Sequence, residues 1–137
     1  MPSRDLHHKI KVLPSIVPAA VKTANAVTTG ATIDSAGFES VEHVMQTGVI
    51  TDGTFTPAVF AGDESNMSDE AAVTSADELI GTIADATFAA TDGSKTKKIG
   101  YRGPKRYSRV KVTQAGATTG GFIAAAAVLG DARSQPQ

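Results

Sequence analysis

The chain has 137 residues, is 41% hydrophobic but only 5% aromatic, lacks Cys and Trp, and carries a formal charge of −1. That length fits one domain able to bury about two-thirds of its unfolded surface. A near-neutral sum excludes a globally basic nucleic-acid binder, and zero Cys excludes a disulfide framework or a thiolate metal site. No apolar run approaches the roughly 20 residues of a membrane helix.

In chain order, Ile10 and Val12 alternate with Lys9 and Lys11, giving a short strand or an arm. Arg4, Lys9 and Lys11 ahead of an apolar 12–21, with Ala24-Asn25-Ala26 behind it, outline a signal peptide. Pro14 and Pro18 interrupt that run and Lys22 sits at the would-be cleavage region, so a leader is not expected. The same prolines exclude a regular helix or a central strand. An extended apolar segment is left, lying on the domain's own sheet edge or on a neighbouring subunit.

Thr28-Thr29-Gly30 reads as a turn and 31–34 as a short strand. Over 38–45, Val41, His43 and Met45 oppose Glu42, Val44 and Gln46 in strand fashion, and Val49-Ile50-Thr51 continue it. Asp52-Gly53 is a two-residue hairpin signal, with 54–61 as the returning strand and Pro57 marking an edge or bulge. After a polar loop at 62–68, Ser75-Ala76-Asp77-Glu78 fits a capping box, and Leu79-Ile80-Gly81 closes one helical turn. Residues 85–90 read as strand and 91–94 as a turn.

The stretch 99–113 reads as two extended segments about Gly103-Pro104. Ser108, Val110 and Val112 share one face, and Tyr107, Arg109 and Lys111 the other. Residues 114–121 form a flexible turn. The last strand, 122–129, is apolar on both faces, so it is central in a sandwich or covered by another subunit. Together these give an all-β chain: an antiparallel β-sandwich of about eight short strands with an N-terminal arm and one short helical turn. The expected division is an arm over 1–27, a sandwich domain over 28–130 and a tail over 131–137.

Charge is unevenly spread. No Lys or Arg occurs from Thr23 to Ser94, where 12 acids lie, and eight of the 13 basic residues then fall between Lys95 and Lys111 with no acid among them. Such blocks can pair within the fold or between subunits. As a nucleic-acid surface the basic stretch would use Arg and Lys on phosphates, with Tyr101 and Tyr107 stacking. As a protein contact it has the Arg and Tyr enriched at interface hot spots. The expected contact residues are Ile16, Val17, Tyr101, Arg102, Lys105, Arg106, Tyr107 and Arg109.

Neither GxxxxGK[ST] nor GxGxxG occurs. Asp63, Ser65 and Met67 fail the calcium-loop template, because Met offers no hard oxygen. His7 and His8 on an extended arm face opposite ways, and His43 reads as a strand residue and not as a general base. No catalytic residue, cofactor or metal is expected.

Several segments recur in a known order: Arg4-Asp5-Leu6 with Ile10-Lys11-Val12, Thr51-Asp52-Gly53-Thr54, the run from Ile99 to Val110, and Gly116-Ala117-Thr118-Thr119-Gly120-Gly121. They resemble a family of small tailed-bacteriophage and prophage head proteins found beside the major capsid protein, including capsid decoration, or cement, proteins. The most specific part is the tyrosine-to-valine pattern from Tyr101 through Arg106, Tyr107 and Arg109 to Val110. The resemblance implies a jelly-roll-like sandwich that binds the outer surface of the phage head. Its partners would be the major capsid protein and further copies of itself, as dimer or trimer, with no direct nucleic acid and no membrane. It would be made in the host cytoplasm. A head–tail connector or tail component is the alternative from the same virus, and a ligand-binding β-sandwich module the alternative from another class.

Overall fold

The computed structural model describes residues 6–17, 27–116 and 120–132, with residues 131 and 132 described by backbone alone. Its strands are β1 Lys11–Ile16, β2 Val27–Thr29, β3 Ile33–Asp34, β4 Phe38–Ile50, β5 Thr54–Gly62, β6 Ala71–Ala72, β7 Leu79–Ile80, β8 Thr96–Tyr101, β9 Tyr107–Ala115 and β10 Gly121–Ala132. A four-residue helix, α1 Ile83–Ala86, and a 3-10 turn, Ala90–Asp92, lie between β7 and β8. One sheet has the order β1-β10-β4-β8-β7 and the other β2-β9-β5-β6, with β3 also on β9; every pairing is antiparallel. The successive long strands β4, β5, β8, β9 and β10 alternate between the sheets, which is the wrapping of a jelly roll.

That wrapping corrects one expectation. Asp52-Gly53 turns tightly, with Gly53 at φ 87° where glycine has no Cβ penalty. It makes no hairpin, because β4 pairs with β10 and β8 while β5 pairs with β9 and β6. The Asp52 carboxylate accepts from the Gly120 amide at 2.6 Å, tying this corner to the entry of β10. Gly103-Pro104 likewise joins strands of opposite sheets. A turn motif sets the local backbone path; the partner of each strand is chosen by where its apolar face is buried.

Other differences are local. Ser75 does close one turn, its hydroxyl accepting from the Asp77 amide and its carbonyl from Leu79, but Leu79–Ile80 then pair with Tyr101 and Gly100 as β7. The helix starts later, with Thr82 as N-cap accepting from the Asp85 amide at 3.1 Å. The strand expected over 85–90 reduces to one bridge, in which Phe88 and Phe55 exchange backbone hydrogen bonds of 2.8 and 2.9 Å. Thr28 and Thr29, read as part of a turn, pair with β9, as does Val27 before them.

Within the expected arm, Lys11–Ile16 is an edge strand along β10, where Pro14 removes no amide from a central ladder. The rest of that arm (1–5 and 18–26), the middle of the 114–121 turn (117–119) and tail residues 133–137 lie outside the described residues.

Alternation builds the core. Ser108, Val110, Val112 and Gln114 point inward from β9, and Val41, His43, Met45 and Thr47 from β4. Met45, Phe55, Phe88, Ile99, Val110 and Ile123 belong to the larger apolar cluster; Ile33, Phe38, Val41, Ala127 and Leu129 form a smaller one. Each of these Phe or Ile side chains contributes about 1.5–3 kcal/mol on burial. His43, fully buried on β4 between Val41 of one cluster and Met45 of the other, meets the Ser108 hydroxyl of the opposite sheet at 3.2 Å.

Candidate functional site

The two sheets present unlike outer faces. On the second sheet, the outward residues of β9 are matched to the chain's own acids. The Arg109 guanidinium and the Lys111 ammonium share the Glu70 carboxylate, with Arg109 at 2.7 Å, and Lys111 lies over the Phe60 ring at 4.4 Å. Arg109, chiefly, and then Lys111 hold the Glu70 carboxyl below its ordinary pKa. These three side chains are only 18–21% exposed, so the cluster is partly shielded from solvent.

Pairing continues at the end of the sandwich where β8 passes into β9. Arg106 forks onto both Asp34 oxygens at 2.8 Å and stacks on the Tyr107 ring, and this hydrogen bonding lowers the Asp34 pKa and raises that of Arg106. Lys105 reaches Asp63 at 2.7 Å, which raises the lysine pKa. Arg102 donates from Nε to the Asp77 carbonyl at 2.7 Å. Tyr101 is buried, and its hydroxyl accepts from the Lys105 amide at 3.1 Å; burial pushes its pKa up.

Of the expected contact residues, the structure thus gathers Tyr101, Arg102, Lys105 and Arg106 around one cleft of about 440 Å³, closed on its other side by residues 35–39 and Val41. Side chains of Arg106, Asp34, Lys105 and Asp63 are 43–60% exposed there. Such open pairs are worth little and exchange readily for an incoming acid, unlike the shielded Glu70 cluster. Arg109 and Tyr107 stand apart on the strand face. Ile16 is in the core at 5% exposure, and only Val17, at 68%, is free to make contact at that edge.

The outer face of the first sheet carries an apolar strip instead, with Glu42 and Lys98 beside it. Phe122, Ala124, Ala126 and Val128 point outward along β10, with Val12 and Pro14 of β1 on one side and Val44 of β4 on the other. Val12 is 57% and Phe122 45% exposed. Around the alanine floor, Val12, Pro14, Val17, Val44 and Gln46 wall a shallow groove. A contiguous apolar strip of this kind on a folded domain marks a site of protein contact. The sequence signal for it was the doubly apolar last strand, of which Phe122 is the most prominent outward member.

Among the described residues, no three His, Asp or Glu side chains come together as a metal would need.

Comparison of the sequence with protein-family models and with curated proteins finds no match. Solved structures do share the fold. The chain superposes on the PBSX exported protein XepA with a TM-score of 0.55 at 13% identity, over 99% of this chain and 42% of XepA. It therefore spans less than half the length of that protein, and the likeness is one of fold. Others are the SPBc2 prophage-derived protein YomS, with a TM-score of 0.45 at 9% identity over 88% of this chain and 93% of that one, and a chain of the cyanophage Pam1 capsid, 0.45 at 14% over 95% and 90%.

Proposed function

We propose that this is a structural virion protein, not an enzyme, that binds the outer surface of a phage capsid and stabilises the shell by bridging capsid subunits. The observation that carries the reading is the division of its surface. One broad face carries an apolar strip suited to protein contact, the other is closed off by its own ion pairs, and one end presents exposed, exchangeable cations. The jelly-roll wrapping and the segments that resemble phage head proteins support the same role.

The mechanism is linkage. A clamp that binds only the mature lattice stabilises it by RT ln(1+[L]/Kd) per site, and a repetitive shell multiplies weak contacts. The cleft around Arg102, Lys105 and Arg106 is the surface offered to an acidic patch on the major capsid protein.

Co-sedimentation with decoration-free shells tests this. Saturable binding to expanded but not immature shells, abolished when Arg102, Lys105 and Arg106 are changed to Glu, is the expected result. Absence of binding to either shell would overturn it, and only about a dozen copies per particle would transfer the protein to a connector or tail ring.

A further inference from the structure

We infer that the outer face of β1, β10 and β4 is covered by a second copy of this chain, packed face to face about a two-fold axis that crosses β10 at Ala124. This deepens the proposed function by naming the partner of that face, and rests on it only in leaving the shell contact to the cationic end.

Residues on a two-fold axis meet themselves, so they must be small or able to pair with their own kind. In register across the sheet, Ala124 stands beside Gln46, and Gln46 beside Thr96. That row is small and uncharged, and the Gln46 amide, both donor and acceptor, can be satisfied by its own copy. The charged residues of the face, Glu42 and Lys98, stand in register with Val128 and Val44, off this row.

Shape agrees. Outward residues on β10 recur every second position, so a two-fold axis at Ala124 sets each Phe122 over the partner's Ala126. Phe122 is the bulky exposed residue of the strand and Ala126 part of the groove floor, so one face carries both the knob and its hole. Phe122 itself is seated beside Gly48, where a Cβ in place of the glycine hydrogen would lie 3.6 Å from the Phe122 Cβ.

Area makes the pair a reversible one. Three strands about 4.8 Å apart over the roughly 20 Å from Phe122 to Val128 span about 300 Å² per copy, so about 600 Å² in the dimer, below the roughly 1,200 Å² of stable interfaces and in keeping with a weak pair that dissociates on dilution. No charge stands on the outward positions of β1 or β10 within that span to oppose close approach.

Sedimentation equilibrium of the full chain, from about 1 to 100 μM, reads the claim directly. The expected species is a dimer of twice 14.0 kDa that dissociates on dilution, and Phe122→Glu should weaken it at least tenfold with the circular dichroism unchanged. Because the chain lacks Cys, an Ala124→Cys variant adds a single thiol that should cross-link to its own copy under mild oxidation, whereas Thr113→Cys on the opposite sheet should not. A monomer throughout that range, a trimer, or equal cross-linking of the two variants would overturn the inference. Shell binding separates the two claims: Phe122→Glu should abolish the dimer and keep shell binding, and charge reversal at Arg102, Lys105 and Arg106 should do the opposite. If Phe122→Glu instead abolishes shell binding by a chain that is monomeric throughout, the face belongs to the shell and self-pairing is refuted.

Discussion

Acidification should weaken the fold across a pH range set by His43. The imidazole is fully buried on β4, Nε2 faces the Ser108 hydroxyl, and Nδ1 has no partner among the described residues; burial lowers its pKa from 6.5 to about 4. Between these values the unfolded chain takes up a proton at His43 that the folded chain refuses, so stability falls as the pH drops from 6.5 towards 4. The full difference is about 3 kcal/mol, most of which is reached by pH 4.5. That is a large share of the 5–15 kcal/mol typical of a domain, and lowers the melting temperature by about 10 °C. Asp34, Asp69 and Glu70 have lowered pKa values, so their contributions are present above the ordinary carboxylate range and are lost only at lower pH. Glu42, raised by burial, acts in the opposite sense, regaining stability as it protonates. Urea unfolding followed by far-ultraviolet circular dichroism at pH 7, 5.5 and 4.5 measures the slope. His43→Gln keeps a polar group towards Ser108 but cannot titrate, and should flatten the curve between pH 6.5 and 4.5 whatever its effect at pH 7. An unchanged slope in that variant would refute the assignment to His43.

Phe88→Ala, at a fully buried ring bridged to Phe55, should cost about 3–5 kcal/mol in urea unfolding, while Phe122→Ala on the outer face should cost far less. Gly53→Ala places a side chain at φ 87° and should destabilise by about 1 kcal/mol or more, read from the shift in the urea midpoint. Glu70→Gln removes the shared partner of Arg109 and Lys111; the loss should be about 1 kcal/mol in low salt and shrink at 1 M NaCl.

Alternation was the most legible feature of the chain. It placed Ser108, Val110 and Val112 inside, Tyr107, Arg109 and Lys111 outside, and divided β4 correctly, because a period of two is a property of neighbouring residues. What the chain could not reveal was pairing at a distance. Asp52-Gly53 announced a turn truthfully, but nothing local says that β5 crosses to the other sheet. The capping box read at Ser75 does not form: its hydroxyl accepts from the Asp77 amide two residues on, and Leu79 and Ile80 pair with the edge of β8 instead of continuing a helix. At the candidate surfaces, the acidic and basic blocks showed that pairing was available. Only the fold assigns Asp34 to Arg106 across 72 residues and Glu70 to Arg109 and Lys111. The same pairings narrowed the expected contact set, withdrawing Ile16 into the core and leaving the end cleft and the first sheet's face open.

The central claim, that this chain reinforces a phage shell, is tested most directly by heating expanded capsids with increasing amounts of the protein and recording the temperature at which packaged DNA is released. A cement raises that temperature in proportion to the logarithm of its free concentration once binding is well above Kd, as linkage requires. Saturating binding with an unchanged release temperature would contradict the account, because the protein would then occupy the shell without stabilising it.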